Sequence, residues 1–214
     1  MNKSEWLNAL ETPFLLIDEF RFQRNIDRLY QRTEKLGNQI RPHLKTLRSI
    51  EAGRYLLKDA ASPATVSTLA EAEAFANAGY TNLLYAVGIA PHKLPRIANL
   101  IHKGVNIHIL LDSAEQARTV TDFALANSVT FSVFIEIDCD GHRGGIPPES
   151  DALLELAKQI DGNGATLTGL LAHAGESYAC RTDEAIRAAA RAECKAHQYR
   201  WTACTGTGNC LPRT

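Results

Sequence analysis

The chain has 214 residues, 45% hydrophobic and 22% charged, enough for one sizeable globular domain and awkward for two. Its formal net charge is −1 and its Lys and Arg residues are dispersed. That excludes the basic surface that nucleic acid or an anionic membrane would select.

The opening Met1-Asn2-Lys3-Ser4-Glu5-Trp6 is polar and shows no secretory signal. The apolar runs are strand-sized, far short of a membrane span, so a cytoplasmic location is expected. Cys139 and Cys180 are isolated, and Cys194, Cys204 and Cys210 fall near the end without metal-binding spacing. They read as reduced thiols.

In chain order, Phe14 to Asp18 is the first strand candidate. Phe22, Ile26, Leu29 and Tyr30 then recur at helical spacing, with Gly37 placed as a C-cap. Ile40 to Lys45 and Ala64 to Leu69 are the next strand candidates. Ala70 to Ala78 is a helix stopped by Gly79. Asn82 to Val87 follows. Pro91 suits a first helical turn ahead of the Leu94, Ile97, Ala98, Ile101 stripe, which Gly104 ends.

Asn106 to Asp112 leads into a capping-box pattern, Ser113 with Gln116. Thr130 to Asp138 is a strand, and Pro147-Pro148 precedes a helix carrying Leu153, Leu154, Leu156 and Ala157. Thr166 to His173 is the last strand candidate, and Thr182 caps a helix through the alanine-rich stretch Ala185 to Ala192. The strands lack clean period-two alternation, as parallel strands covered on both faces should.

Repeated strand–helix alternation gives an α/β fold with a parallel sheet. The expectation is a (β/α)8 TIM-type barrel that is incomplete, with seven recognisable strands. A full barrel takes eight strands and about 250 residues. The barrel is expected over residues 1–193. From Cys194 helical periodicity fades and Cys, Thr and Gly accumulate, so 194–214 reads as an atypical tail that is not native sequence throughout. A nucleotide read across codons 190 to 214 checks this, and an uninterrupted frame would contradict it.

Chemistry concentrates in a few segments. In Arg41-Pro42-His43-Leu44-Lys45-Thr46, Lys45 falls at the C-terminal end of a strand candidate, the end that faces the active site in α/β barrels. Within apolar walls its charged form would be disfavoured and its amine nucleophilic. Position alone favours a surface lysine at a strand end. His43 lies two residues earlier on the same strand face. Arg143 follows the apolar strand ending Glu136-Ile137-Asp138 and, taken alone, reads as an arginine paired with Asp138 or Asp140 on a surface loop. His173 ends a strand, Gly175 permits close backbone approach, and Tyr178 lies on the loop beyond. His173 also reads as a hydrogen-bonded barrel histidine, and Tyr178 as a packing residue.

Thr12-Pro13-Phe14-Leu15-Leu16-Ile17-Asp18, Arg24-Asn25-Ile26 and the Lys45 segment resemble, in order, the opening of the D-threonine aldolase and D-serine dehydratase family. Thr65 to Ala72, Gly141-His142-Arg143-Gly144-Gly145-Ile146 and Gly169 to Tyr178 resemble that family's later motifs. The likeness runs from about residue 11 to about residue 192. Its members are pyridoxal-phosphate enzymes whose N-terminal barrel resembles that of alanine racemase. The resemblance implies that Lys45 binds pyridoxal 5'-phosphate as a Schiff base and serves as proton acceptor or donor at the substrate's Cα. It implies that Arg143 approaches the phenolic oxygen of the cofactor, that His43 and His173 lie near its ring, and that Gly175 and Tyr178 line its pocket, Tyr178 near the phosphate or substrate. Lys45, His173 and Tyr178 are thus the expected catalytic residues.

The implied activity is that of a lyase, aldolase or dehydratase, on D-amino acids with a β-hydroxyl, by a homodimer. A racemase on the same scaffold and a non-catalytic pyridoxal-phosphate-binding homeostasis protein are the alternatives. The family also carries a C-terminal β domain whose His with Cys or Asp binds a divalent metal, zinc or manganese. No matching pair occurs in these residues, so that domain and the metal ligands are expected to be missing. Thr205-Gly206-Thr207-Gly208-Asn209 is a weak candidate for a phosphate loop, because no clear strand precedes it.

Overall fold

The computed structural model describes residues 7–160, 162 and 164–205, with only the backbone described for 197–205. The chain forms two compact units, Met1–Ile40 and Arg41–Thr214.

The first unit is built on helix α1, Glu19–Lys35. Asp18 caps it by accepting from the Arg21 N–H, and Gly37 turns the chain away at φ +66°. Phe14 to Asp18, expected as a strand, forms no ladder, and Leu15, Leu16 and Ile17 are exposed. Its composition suits a strand, but pairing requires a neighbour at ladder distance.

The second unit is a parallel α/β layer structure. Five strands lie in the order β1-β2-β3-β4-β5: Ala64–Val66, Asn82–Gly88, Asn106–Leu111, Phe131–Ile137 and Ala165–Ala172. Every neighbouring pair is parallel. Of the seven strands expected, five form among the described residues. Ile40 to Lys45 contributes only an isolated parallel bridge, His43 to Thr65, and then tightens into a 3-10 turn over Leu44–Thr46. The described sheet is open, not a closed barrel.

Helices α2 (Ile50–Leu56), α3 (Leu69–Asn77), α4 (Leu94–His102), α5 (Ala114–Asn127), α6 (Asp151–Ile160) and α7 (Asp183–Thr205) follow in turn. Pro91 opens a separate 3-10 turn, Pro91–Lys93, before α4. Gly79 and Gly104 stop α3 and α4 at positive φ. Ser113 caps α5, but Gln116 reaches back to the Asp112 N–H instead of closing the expected box. The complete capping box is at Thr68 and Glu71, ahead of α3. Thr182 caps α7, which crosses Cys194 without interruption and runs on to Thr205. Ala, Lys and Gln in that stretch are adequate helix formers without an apolar stripe. Residues 206–214, with most of the Thr205–Asn209 candidate, lie outside the described residues.

One core joins the strands to the helices. Val66, Leu83, Tyr85, Ile107, Ile109, Phe131, Val133 and Ile135 pack with Phe75, Leu94, Ile97, Val120, Leu153 and Leu156. Strand β4 alternates, contrary to expectation: Phe131, Val133, Ile135 and Ile137 are buried, while Ser132, Phe134 and Glu136 are half-buried. One face of β4 belongs to that core, and the other is the half-open face on which the site residues stand. Lower on that second face Leu84, His108 and Leu110 are buried as well.

Candidate active site

The site is assembled where the strands end. His43 pairs with Thr65, and its Nδ1 accepts from the Lys45 N–H at 3.4 Å. That leaves Nε2 to carry the ring proton and face Ser67 Oγ, also at 3.4 Å. Lys45 itself is exposed in the 3-10 turn, so the apolar walls expected around it are not formed by the described residues. Burial, the Lys45 charge and, to a lesser degree, His173 hold His43 below the usual imidazole range, against an opposing pull from Glu71. His173 follows β5, which in strand order is the far edge of the sheet from β1, the strand that His43 bridges.

Glu71 organises the entry to this corner. Its carboxylate accepts from the Ser67 and Thr68 N–H groups and pairs with Arg48 at 3.1 Å. Arg48, three residues after Lys45, sits at φ +46°. A left-handed non-glycine residue costs energy and persists where surrounding contacts fix it.

The second half of the site is formed by the loops after β4 and β5. The first loop is closed back on its strand: Ile146 N–H donates to Glu136 O, and Asp138 N–H to Ile146 O. Gly145 at φ +118° is required there, since a Cβ would meet the Asp138 nitrogen at 2.7 Å. Arg143 projects from this loop, with its guanidinium carbon 5.8 Å from the centre of the Tyr178 ring. A Cβ on Gly175 would fall 2.8 Å from Arg143 Nε. Arg143, Gly175 and Tyr178 are thus brought together. Arg143 is exposed and faces Tyr178 instead of the Asp138 or Asp140 carboxylate.

Beneath Gly144 lie Glu136 and Asp112. Burial, helped by Asp112 and Asp138, pushes the Glu136 carboxyl above the usual range. Further down the same face Arg41 donates to Asn82 Oδ1 at 3.0 Å. His108 stands edge-on to Phe134 at 5.3 Å, and its Nδ1 has no partner. Burial and the Arg41 charge push His108 down to about 4.

Sequence reasoning passed over Arg41, Glu71, His108 and Asp140. Arg41 was open to the i, i+2 argument used for His43. The Thr68 to Glu71 capping-box spacing was visible too. The Asp140 bonds span 35 and 36 residues and have no local signature. A cavity of about 640 Å³ between the loop after β4 and α7, lined by Cys139, Pro148 and Lys195 among others, holds none of the predicted residues.

The profile of the alanine racemase N-terminal domain matches residues 17–207. The chain belongs to this family. It is 42% identical over 188 residues to a D-threo-3-hydroxyaspartate dehydratase of Delftia sp. (strain HT23), covering 87% of this chain and 50% of that protein. It is 31% identical over 196 residues to a D-serine dehydratase of Dictyostelium discoideum, covering 85% and 49%. A crystal structure of an alanine racemase-like protein from Idiomarina loihiensis superposes with a TM-score of 0.91 at 51% identity, over 97% of this chain and 55% of that one. The chain spans about half the length of the curated relatives it matches. The alanine racemase-like fold expected from the sequence is thus present, as an open five-stranded parallel sheet.

Among the described residues no group of three or more His, Cys, Asp or Glu side chains could hold a metal ion. No helix among them is long and apolar enough to cross a membrane.

Proposed function

We propose that these residues form the cofactor-binding part of a pyridoxal-phosphate-dependent lyase acting on D-amino acids with a β-hydroxyl, by dehydration or aldol cleavage. The observation that carries this reading is the meeting of Arg143, Gly175 and Tyr178 beyond β4 and β5, with His43 and Lys45 beyond the bridge to β1, in a chain of this family. Relatives named as dehydratases at 42% and 31% identity support a lyase over a racemase.

The residue set fits pyridoxal phosphate chemically: a primary amine, a cation for an anionic ring oxygen, ring-facing imidazoles, a phenol and a glycine. When bound, the cofactor supplies an electron sink for charge developing at the substrate's Cα. Lys45 holds it and then takes or returns the Cα proton. Arg143 would supply a cation for the cofactor's anionic ring oxygen. His43, whose proton affinity is lowered, would offer the cofactor's ring an uncharged neighbour. His173 flanks the ring, Gly175 lets the backbone approach, and Tyr178 donates toward the phosphate or the substrate. A divalent metal has no fitting ligand cluster among the described residues, so no step is drawn through one. A homodimer and a cytoplasmic setting belong to this proposal, as does the reading of residues 194–214 as an atypical tail that is not native sequence throughout.

Incubation of the cofactor-loaded protein with D- and L-3-hydroxy amino acids tests the reaction. Keto acid with ammonia marks dehydration, and aldehyde with glycine marks aldol cleavage. Turnover confined to D-substrates is expected. Interconversion of D- and L-alanine without cleavage would favour the racemase.

A further inference from the structure

Two segments far apart in sequence present Arg143 and Tyr178 to each other, and a carboxylate on neither side chain joins them. Asp140 Oδ2 accepts from both the Gly175 N–H and the Glu176 N–H, the latter at 2.9 Å. Its other oxygen accepts from the His142 N–H at 3.3 Å, so the same carboxylate also shapes the turn that carries Arg143. A second crosslink lies beside it, His142 Nδ1 to Glu176 Oε1 at 3.0 Å. We propose that Asp140 is a positioning residue that locks the loop after β4 to the loop after β5 and so fixes Arg143 against Tyr178 across the cofactor site. This rests on the cofactor reading above.

The two loops differ in how they are held. The loop after β4 is anchored at both ends by the Ile137 to Ile146 bridge and internally by Gly141 N–H to Asp138 Oδ1 at 2.9 Å. The loop after β5 leaves its strand at Ala172 and makes a 3-10 turn over Glu176–Ala179, whose internal bonds include Tyr178 N–H to Gly175 O. Those local bonds shape the turn without determining where it points. Asp140 supplies the reference by holding the first N–H groups of the turn. Gly175 completes the fit, because any larger residue there would displace Arg143. Bonds from two N–H groups to one ionised oxygen are charge-assisted and directional, which suits a locating contact. The Asp140 carboxyl lies below its usual range, chiefly through the Glu176 and Gly175 N–H groups, so at neutral pH the clasp is in its accepting form.

The test compares wild type, Asp140→Ala and Asp140→Asn by NMR-detected amide exchange at Gly175 and Glu176, and by absorbance titration with pyridoxal phosphate. Asn keeps an accepting oxygen and Ala does not. In Asp140→Ala both amides should exchange about tenfold faster, and cofactor affinity should fall by about tenfold, the usual scale for a supporting partner. Asp140→Asn should stay within about threefold of wild type in both readouts. The melting temperature of both variants should match wild type, which separates positioning from a folding defect. Unchanged amide exchange in Asp140→Ala would overturn the clasp. Faster exchange with unchanged affinity would overturn its role in the site. Failure of the wild type to bind pyridoxal phosphate would sink the cofactor reading, while the amide measurement would still decide whether the clasp exists.

Discussion

The half-open face of the sheet has two regions that spend polar groups differently. Low on the face, Arg41, Asn82 and His108 are wholly or partly buried among Leu84, Leu110 and Phe134, and each is held by packing or a short bond. At the strand ends Lys45, Arg143, His173 and Tyr178 are exposed and joined through loops. The contrast is one of solvation: Arg41 and His108 are desolvated below, while the amine, guanidinium, imidazole and phenol above are open to solvent. Changes below should register as stability, and changes above as ligand binding.

Four substitutions and one titration sharpen the contrast, from the largest stability effect to none. Phe131→Ala, at a fully buried core position, should cost about 3–5 kcal/mol in chemical denaturation. A loss under about 1 kcal/mol would mean that the core is loosely packed. Acid comes next. His108 is held down to about 4 in the folded chain. An unfolded imidazole binds its proton near 6.5, so the unfolded state gains a proton first as pH falls. Stability is therefore full above about pH 6.5 and declines toward about pH 4, by roughly 3 kcal/mol if His108 acts alone. His43, lowered as well, acts in the same direction. His108→Leu should flatten the slope of unfolding free energy between those limits, and an unchanged slope would place its cause elsewhere.

Thr68→Ala removes half of a capping box and should cost about 1 kcal/mol by the same assay. It should also weaken cofactor binding slightly, because Glu71 then holds Ser67 less firmly beneath His43. Lys45→Ala should leave stability within about 0.5 kcal/mol of wild type. A large destabilisation would make Lys45 a structural residue and erase the distinction between the two regions.

Much of this was legible in the residues. The apolar runs that became β2, β3, β4 and β5 needed only composition and bounding turns, and Gly37, Gly79 and Gly104 marked helix ends that do adopt positive φ. The site residues came from motif order, and the structure brings Arg143 to Tyr178. Phe14 to Asp18 misled because strand composition is local while a ladder partner is not. Ile40 to Lys45 misled for a related reason: after one bridge at His43 the chain satisfies its next N–H groups within a 3-10 turn. The tail looked irregular because its helix lacks an apolar stripe, not because its backbone leaves the helix at Cys194. The Asp140 clasp and the solitary His108 Nδ1 depend on distant neighbours and could be seen only in three dimensions.

The central claim is that Lys45 holds the cofactor. Its most direct test is borohydride reduction of the protein saturated with pyridoxal phosphate, followed by peptide mapping. The account predicts an absorbance band near roughly 410–430 nm before reduction, from cofactor chemistry, and a single label on Lys45 after it. A label spread over surface lysines, or one that persists in Lys45→Ala at another position, would contradict it.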